Sequence, residues 1–286
     1  MTETAIAPQL PAVARDLASL RGAIDAWRHA RLTVALVPTM GALHAGHIAL
    51  VAEGLKRADR VVTSIFVNPA QFAPTEDFSK YPRTFDDDRA KLAAGCHLIW
   101  APTVPVMYPA GFACKVIPEG AALGLETDFR PHFFAGVATV CTKLFTQVAP
   151  DFAVFGEKDY QQLLVVRQVA RDLDLRLQII GYPTVREADG LAMSSRNAYL
   201  SPEARGTAPA IHATLQDCAG KVRHKVPRVD IERDASAALT AKGFKVDYVA
   251  IRDADTLGPP SAATKHLRIL AAAWLGQTRL IDNIGV

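Results

Sequence analysis

The stretch LTVALVPTMGALHAGHIALV, residues 32–51, decides how this chain is built. It runs apolar from Leu32 to Pro38, turns through two glycines and two histidines, and then becomes apolar again at helical spacing. A packed core needs none of those polar residues. LTVALVP reads as a buried strand, and HIALVAEGLKRAD as a helix with Ile48, Val51, Leu55 and Ala58 on one face. RVVTSIFVNP follows as a second strand ending near Asn68-Pro69. Strand, helix and strand in close succession make a right-handed parallel unit.

The alternation extends outward from this unit. Before it, LASLRGAIDAWRHAR reads as an amphipathic helix. After it come a helix in FDDDRAKLAAG, a third strand in CHLIWAP, an irregular stretch rich in Pro and Gly, and a helix in HFFAGVATVCTKLFTQVA. DFAVFG is a fourth strand. KDYQQLLVVRQVARDL is a helix with Leu163, Val166, Ala170 and Leu173 on one face, and LQIIGYP is a fifth strand. The pattern is α/β: a doubly wound, Rossmann-like parallel sheet. Beyond YPTVREADG the texture changes to a smaller α+β part. There SPEARGTAPAIHATLQDCAGKV reads as one helix, VDIERDASAALTAKG as another, and FKVDYVAIRD and HLRILAAAWLGQTRLID as strands. The expected division is residues 1–184 for the sheet domain and 185–286 for a smaller lid domain.

The totals bound the function classes. The chain has 286 residues, half of them hydrophobic, and a formal net charge of +3. No Lys/Arg block has the density of a nucleic-acid footprint. The densest stretch, RHKVPR (223–228), reads as a solvated connector. Cys96, Cys114, Cys141 and Cys218 are widely spaced and lack a CxxC pair, which points to reduced thiols and a cytoplasmic setting. No run approaches the roughly 20 apolar residues of a membrane span. The N-terminus lacks the pattern of a signal peptide.

In an open parallel sheet, ligands bind beyond the carboxyl ends of the strands. The sequence there is unusual at four strands: PTMGALHAGH, NPAQF, APTVPVMYP and GEKDYQQ. Gly41 and Gly46 suit a tight turn or a close backbone approach, and a helix opening near His47 suits phosphate. The glycine spacing of GALHAGHI matches a P-loop, yet His47 and Ile48 replace its lysine and hydroxyl residue, so a Walker-type site fails. A metal held by His44 and His47 lacks an evident third ligand. Lys158 offers a cation and Asp159 an acceptor for ribose. Gln71 and Gln162 offer two-sided hydrogen bonding, and MSSRN offers two hydroxyls and a guanidinium.

HAGH resembles the HxGH signature of adenylate-forming nucleotidyltransferases, and MSSR is similar to their ATP-covering loop. The set PTMGALHAGH, SIFVNPAQF, YPRTFDDD, FGEKDYQQL and VREADGLAMSSRN, continuing to RLIDNI, resembles the pantoate–β-alanine ligase family. That resemblance implies an ATP-dependent ligase that forms pantoyl adenylate and then pantothenate, with Mg²⁺ carried on ATP and a homodimer as the assembly. It places Met40, Gly41, Ala42, Leu43, His44, Ala45, Gly46 and His47 on ATP, with His47 as proton donor. It adds Gly156, Glu157, Lys158 and Asp159 for ribose and phosphate, Val185 for adenine, and Met193, Ser194, Ser195 and Arg196 for the triphosphate. His44, His47, Lys158 and Arg196 form the catalytic set. Gln71 and Gln162 are expected on pantoate, with Gln71 also near β-alanine and Asn68 beside them. Asp87 and Asp88 are candidate outer partners of the Mg²⁺ ion. One departure stands out: the family pattern R-P-x-H-F-x-G-V reads RPHFFAGV here, so Phe133 takes the histidine's place and His132 precedes it. The rivals are a nucleotidyltransferase acting on a phosphorylated acceptor and a nucleotide sensor without catalysis.

Overall fold

A computed structural model describes residues 10–73, 76 and 78–286. Six parallel strands form the main sheet: β1 (Ala12–Ala14), β2 (Val34–Thr39), β3 (Arg60–Ile65), β4 (Leu98–Trp100), β5 (Phe152–Gly156) and β6 (Gln178–Tyr182). Their order is β1-β4-β3-β2-β5-β6. The chain builds outward from β2 to β3 and β4, then crosses back to lay β5 on the other side of β2. The order therefore reverses between β2 and β5, which defines a switch point.

Helices cover both faces: α1 (Leu17–His29), α2 (Ala45–Arg57), α3 (Phe85–Leu92), α4 (Val104–Met107), α5 (Glu126–Phe129), α6 (Phe133–Val148) and α7 (Tyr160–Asp172). Side chains alternate along a strand, so β2 feeds two cores. Val34 and Leu36 pack with Leu20 and Ile24 of α1 and with the apolar face of α6. Ala35 and Val37 pack with Leu50 and Val51 of α2 and Leu92 of α3. This two-sided burial is why LTVALVP shows no polar alternation.

The second part begins with α8 (Pro202–Thr207), α9 (Ala210–Arg223) and α10 (Arg228–Ala241). They pack on an antiparallel sheet of β7 (Lys245–Asp253), β8 (Leu267–Leu275) and β9 (Thr278–Gly285). Ile211, Leu215, Ile231 and Leu239 meet Ile269, Ala271 and Ala273 in its core. Ala250 and Leu270 instead join the core under the parallel sheet, so the two parts share packed apolar surface.

Four expectations need correction. β1 is an additional strand that the sequence pattern does not show, because three residues carry no periodicity. The helix expected over SPEARGTAPAIHATLQDCAGKV is two helices, broken at Pro209, which has no N–H to donate. On α2 the buried residues are Leu50, Val51 and Gly54, while Leu55 is exposed. The missing side chain at Gly54 lets the helix ride close to Ala35 and Val61, where an added Cβ would stand 3.3 Å from that of Ala35. On α7, Leu163, Val166 and Ala170 are buried, whereas Leu173, past the helix end, is exposed.

Candidate functional site

A cleft of about 1400 Å³ opens at the switch point and runs between the carboxyl ends of the parallel strands and the antiparallel sheet. The turn after β2 forms one wall. Gly41 (φ +86°) and Ala42 (φ +51°) are both in the left-handed region, which Ala occupies only at a cost. The buried Asp88 carboxylate holds that shape, accepting from Ala42 N at 2.9 Å and Leu43 N at 2.7 Å. Thr84 Oγ1 donates to the same carboxylate at 3.3 Å.

The histidines cap the helix that follows. Gly46 N donates to His44 Nδ1 at 3.2 Å, and His44 N donates to His47 Nδ1 at 3.3 Å, forming a reciprocal capping box at the start of α2. A ring nitrogen that accepts an N–H carries no proton. Both neutral rings therefore hold their proton on Nε2, as a hydrogen-bond donor. The rings lie 4.1 Å apart between centroids. Burial, and then the nearby Lys158 ammonium, push His44 down to about 4. Burial, and then His44 and Lys158, push His47 down to about 3. Gly46 is needed because a Cβ there would stand 2.9 Å from the His44 ring.

The corner after β5 forms the facing wall. Gly156, Lys158 and Asp159 line the cleft, with Lys158 Nζ 3.6 Å from Asp159 Oδ1. The carbonyls of Glu157 and Lys158 accept from Asn283 Nδ2 on β9, at 2.9 and 2.8 Å. The Glu157 carboxylate is paired with Arg268 at 3.2 Å, and Glu157 does not line the cleft. Val185, Met193, Ser194, Ser195 and Arg196 line the cleft above the histidine turn. Ser195 Oγ donates to Ala42 O at 3.3 Å, and the Arg196 guanidinium lies 5.9 Å from the Tyr81 ring centroid.

Gln71 and Gln162 line the cleft, but Asn68 does not. Asn68 stands behind Gln71: its Nδ2 donates to Gln71 Oε1 at 2.9 Å, and its Oδ1 accepts from Tyr108 at 2.8 Å. Its expected contact with substrate is thus replaced by orientation of the Gln71 amide, which leaves the Gln71 Nε2 hydrogens as donors. Gly136 permits this arrangement, since a Cβ there would lie 2.3 Å from Ala70 O.

Other expected positions also move. Gly41, Ala42, Leu43 and Ala45 do not line the cleft: Gly41 and Leu43 are buried, and Ala45 is exposed outside it. Ala42 N and Leu43 N are donated to Asp88, so those amides are not offered to a phosphate. Asp88 is therefore an anchor of the turn, and Asp87 is exposed outside the cleft. Residues 101–109, expected on the rim, do not line the cleft: Val104–Met107 form α4, and Tyr108 donates to Asn68 behind Gln71. His132 and Phe133 both line it. The Arg130 guanidinium stacks 4.0 Å over Phe133 and donates to Gln71 O at 2.9 Å.

The fold defines the class: a doubly wound α/β protein with a ligand cleft at its switch point and an antiparallel sheet across the cleft. Residues 12–285 match the pantoate-beta-alanine ligase family. A pantothenate synthetase of Bradyrhizobium sp. BTAi1 is 57% identical over 279 residues, covering 96% of this chain and 99% of that protein. The crystal structure of pantothenate synthetase from Thermus thermophilus is similar with a TM-score of 0.89 at 46% identity, covering 96% of this chain and 98% of that one. Pantoate-beta-alanine ligase from Francisella tularensis, solved with beta-gamma ATP and beta-alanine, gives a TM-score of 0.81 at 30% identity, covering 96% and 97%. The chain belongs to the pantoate-beta-alanine ligase family.

Proposed function

We propose that this chain joins pantoate to β-alanine in two steps driven by ATP. In the first, a pantoate carboxylate oxygen bonds to the α-phosphorus while the bond to pyrophosphate breaks. In the second, the β-alanine amine attacks the acyl carbon, AMP departs, and the amine loses a proton. One observation carries this function: two neutral imidazoles with Nε2–H donors and the Lys158 ammonium line one cleft across the switch point.

Negative charge grows on the phosphoryl oxygens and the departing pyrophosphate. Fixed donors that need no reorganisation stabilise it best. His44 and His47 suit that role as neutral N–H donors, since burial holds both rings well below the usual histidine range. Lys158 and Arg196 add positive charge. Gln71, with its amide oriented by Asn68, is placed for the hydroxy acid, and Gln162 lies on the same cleft. Val185 packs against Gly46, where an added Cβ would stand 3.7 Å from the valine's, and it lines the same cleft, so it is placed to meet the base.

Among the described residues, no three His, Cys, Asp or Glu side chains gather to hold a metal. Mg²⁺ is proposed to arrive with the triphosphate, where it would supply charge neutralisation. Among the same residues no helix is long and apolar enough to cross a membrane. The proposed assembly is a homodimer in the cytoplasm. Ile117 and Leu123, exposed on the connection between β4 and α6, offer apolar surface for the dimer, and light scattering checks it.

The test follows label from pyrophosphate into ATP. Exchange that requires pantoate but not β-alanine, together with AMP release that requires both, is the expected result. No exchange in an assay that works with a control ligase rejects the adenylate step. AMP release to a phosphorylated acceptor supports the rival transferase.

A further inference from the structure

RLIDNI, residues 279–284, forms most of β9, and nothing above places it on ATP or substrate. Asn283 is only 3% exposed. Its Nδ2 hydrogens go to the backbone carbonyls of Glu157 and Lys158, and its Oδ1 accepts from Arg268 Nε at 2.6 Å. Arg268 also pairs with the Glu157 carboxylate and stacks 3.9 Å over the Tyr160 ring. The corner that carries Lys158 is thus gripped from the antiparallel sheet by both its backbone and its side chains.

The neighbouring Asp282 extends the grip. Its buried carboxylate pairs with Arg186 at 2.7 Å, and Arg186 also donates to Gly190 O at 3.0 Å. Asn283 N donates to Asp282 Oδ1 at 2.7 Å. One dipeptide therefore ties the lysine corner to the base of the 193–196 loop.

We propose that Asn283 is a positioning residue for Lys158, setting the ammonium group from the antiparallel sheet so that it meets the triphosphate opposite His44 and His47. The inference rests on the ATP site proposed above. A misplacement near 1 Å at a reacting centre costs on the order of 10²-fold, which is large enough to measure.

The experiment uses the full chain and pantoate-dependent pyrophosphate exchange. Asn283→Asp keeps the size but sets a carboxylate oxygen against two carbonyls. It lowers kcat/KM for ATP in exchange by about 10- to 100-fold, while the KM for β-alanine, read from AMP release in the complete reaction, stays within about twofold of wild type. In a Lys158→Ala background the same change costs under about twofold, because its effect passes through the missing ammonium. Equal losses in both backgrounds, or an equal rise in both KM values, overturn the proposal and leave Asn283 as packing alone. Arg268→Gln loosens Asn283 without baring the carbonyls and carries the same cycle at smaller amplitude if the Asp variant fails to fold. Failure of wild-type exchange would reject the ATP site itself, a separate outcome.

Discussion

The two walls of the cleft are built by different means. The histidine wall is local: its caps lie within four residues, and its distant anchor, Asp88, belongs to the same sheet domain. The lysine wall is held from outside, by Asn283 and Arg268, more than a hundred residues away. The first wall is preorganised by its own backbone. The second depends on how the antiparallel sheet sits. A shift of the antiparallel sheet would therefore act on the Lys158 corner more directly than on the imidazoles.

The largest effect that sharpens this contrast is on the histidine wall. His47→Ala is expected to lower kcat by roughly 10²–10³, the usual loss of a fixed transition-state donor. Steady-state turnover checks it, and near-normal kcat removes His47 from the chemistry. Asp88→Ala comes next. It strips charge-assisted hydrogen bonds worth about 1.5–3 kcal/mol each from a buried turn. Stability and activity should fall together, read as Tm and turnover on one preparation. Loss of turnover with an unchanged Tm would contradict the anchoring role.

Acid sharpens the contrast further. Both histidines are held below their ordinary value, so the folded state stays neutral where the unfolded chain takes up protons. The unfolded state binds more protons as pH falls from about 6.5 towards 4, so stability drops across that window. His47→Gln should flatten the fall in Tm between pH 7 and 4, and an unchanged slope would show that His47 is not buried neutral. The smallest effect concerns the altered motif. Phe133→His removes the stack beneath Arg130, a contact worth about 0.5–1 kcal/mol. KM for pantoate should therefore shift only a few-fold, and a loss of turnover would give this position a direct role.

The legibility of the molecule follows the same divide. The histidine turn is readable because its determinants are contiguous: a two-sided apolar run, two glycines and a capping pair. The parallel order follows from strand–helix alternation, and GEKD stands out at a strand–helix junction. What escapes are partners distant along the chain. Asp88 looks like one of three surface acids, although α3 turns it inward to two backbone amides. Asn283 is visible only within a block that resembles the family, since nothing local announces that its amide caps two carbonyls across the cleft. Asn68 lies one layer deeper than expected, because its neighbour Gln71 occupies the surface it was expected to reach.

The central claim is that imidazoles and ammonium flank one phosphate chain from opposite walls. A crystal structure with a non-hydrolysable ATP analogue tests it most directly. We expect phosphate oxygens within about 2.7–3.2 Å of both His47 Nε2 and Lys158 Nζ. A triphosphate bound away from either group would contradict the account.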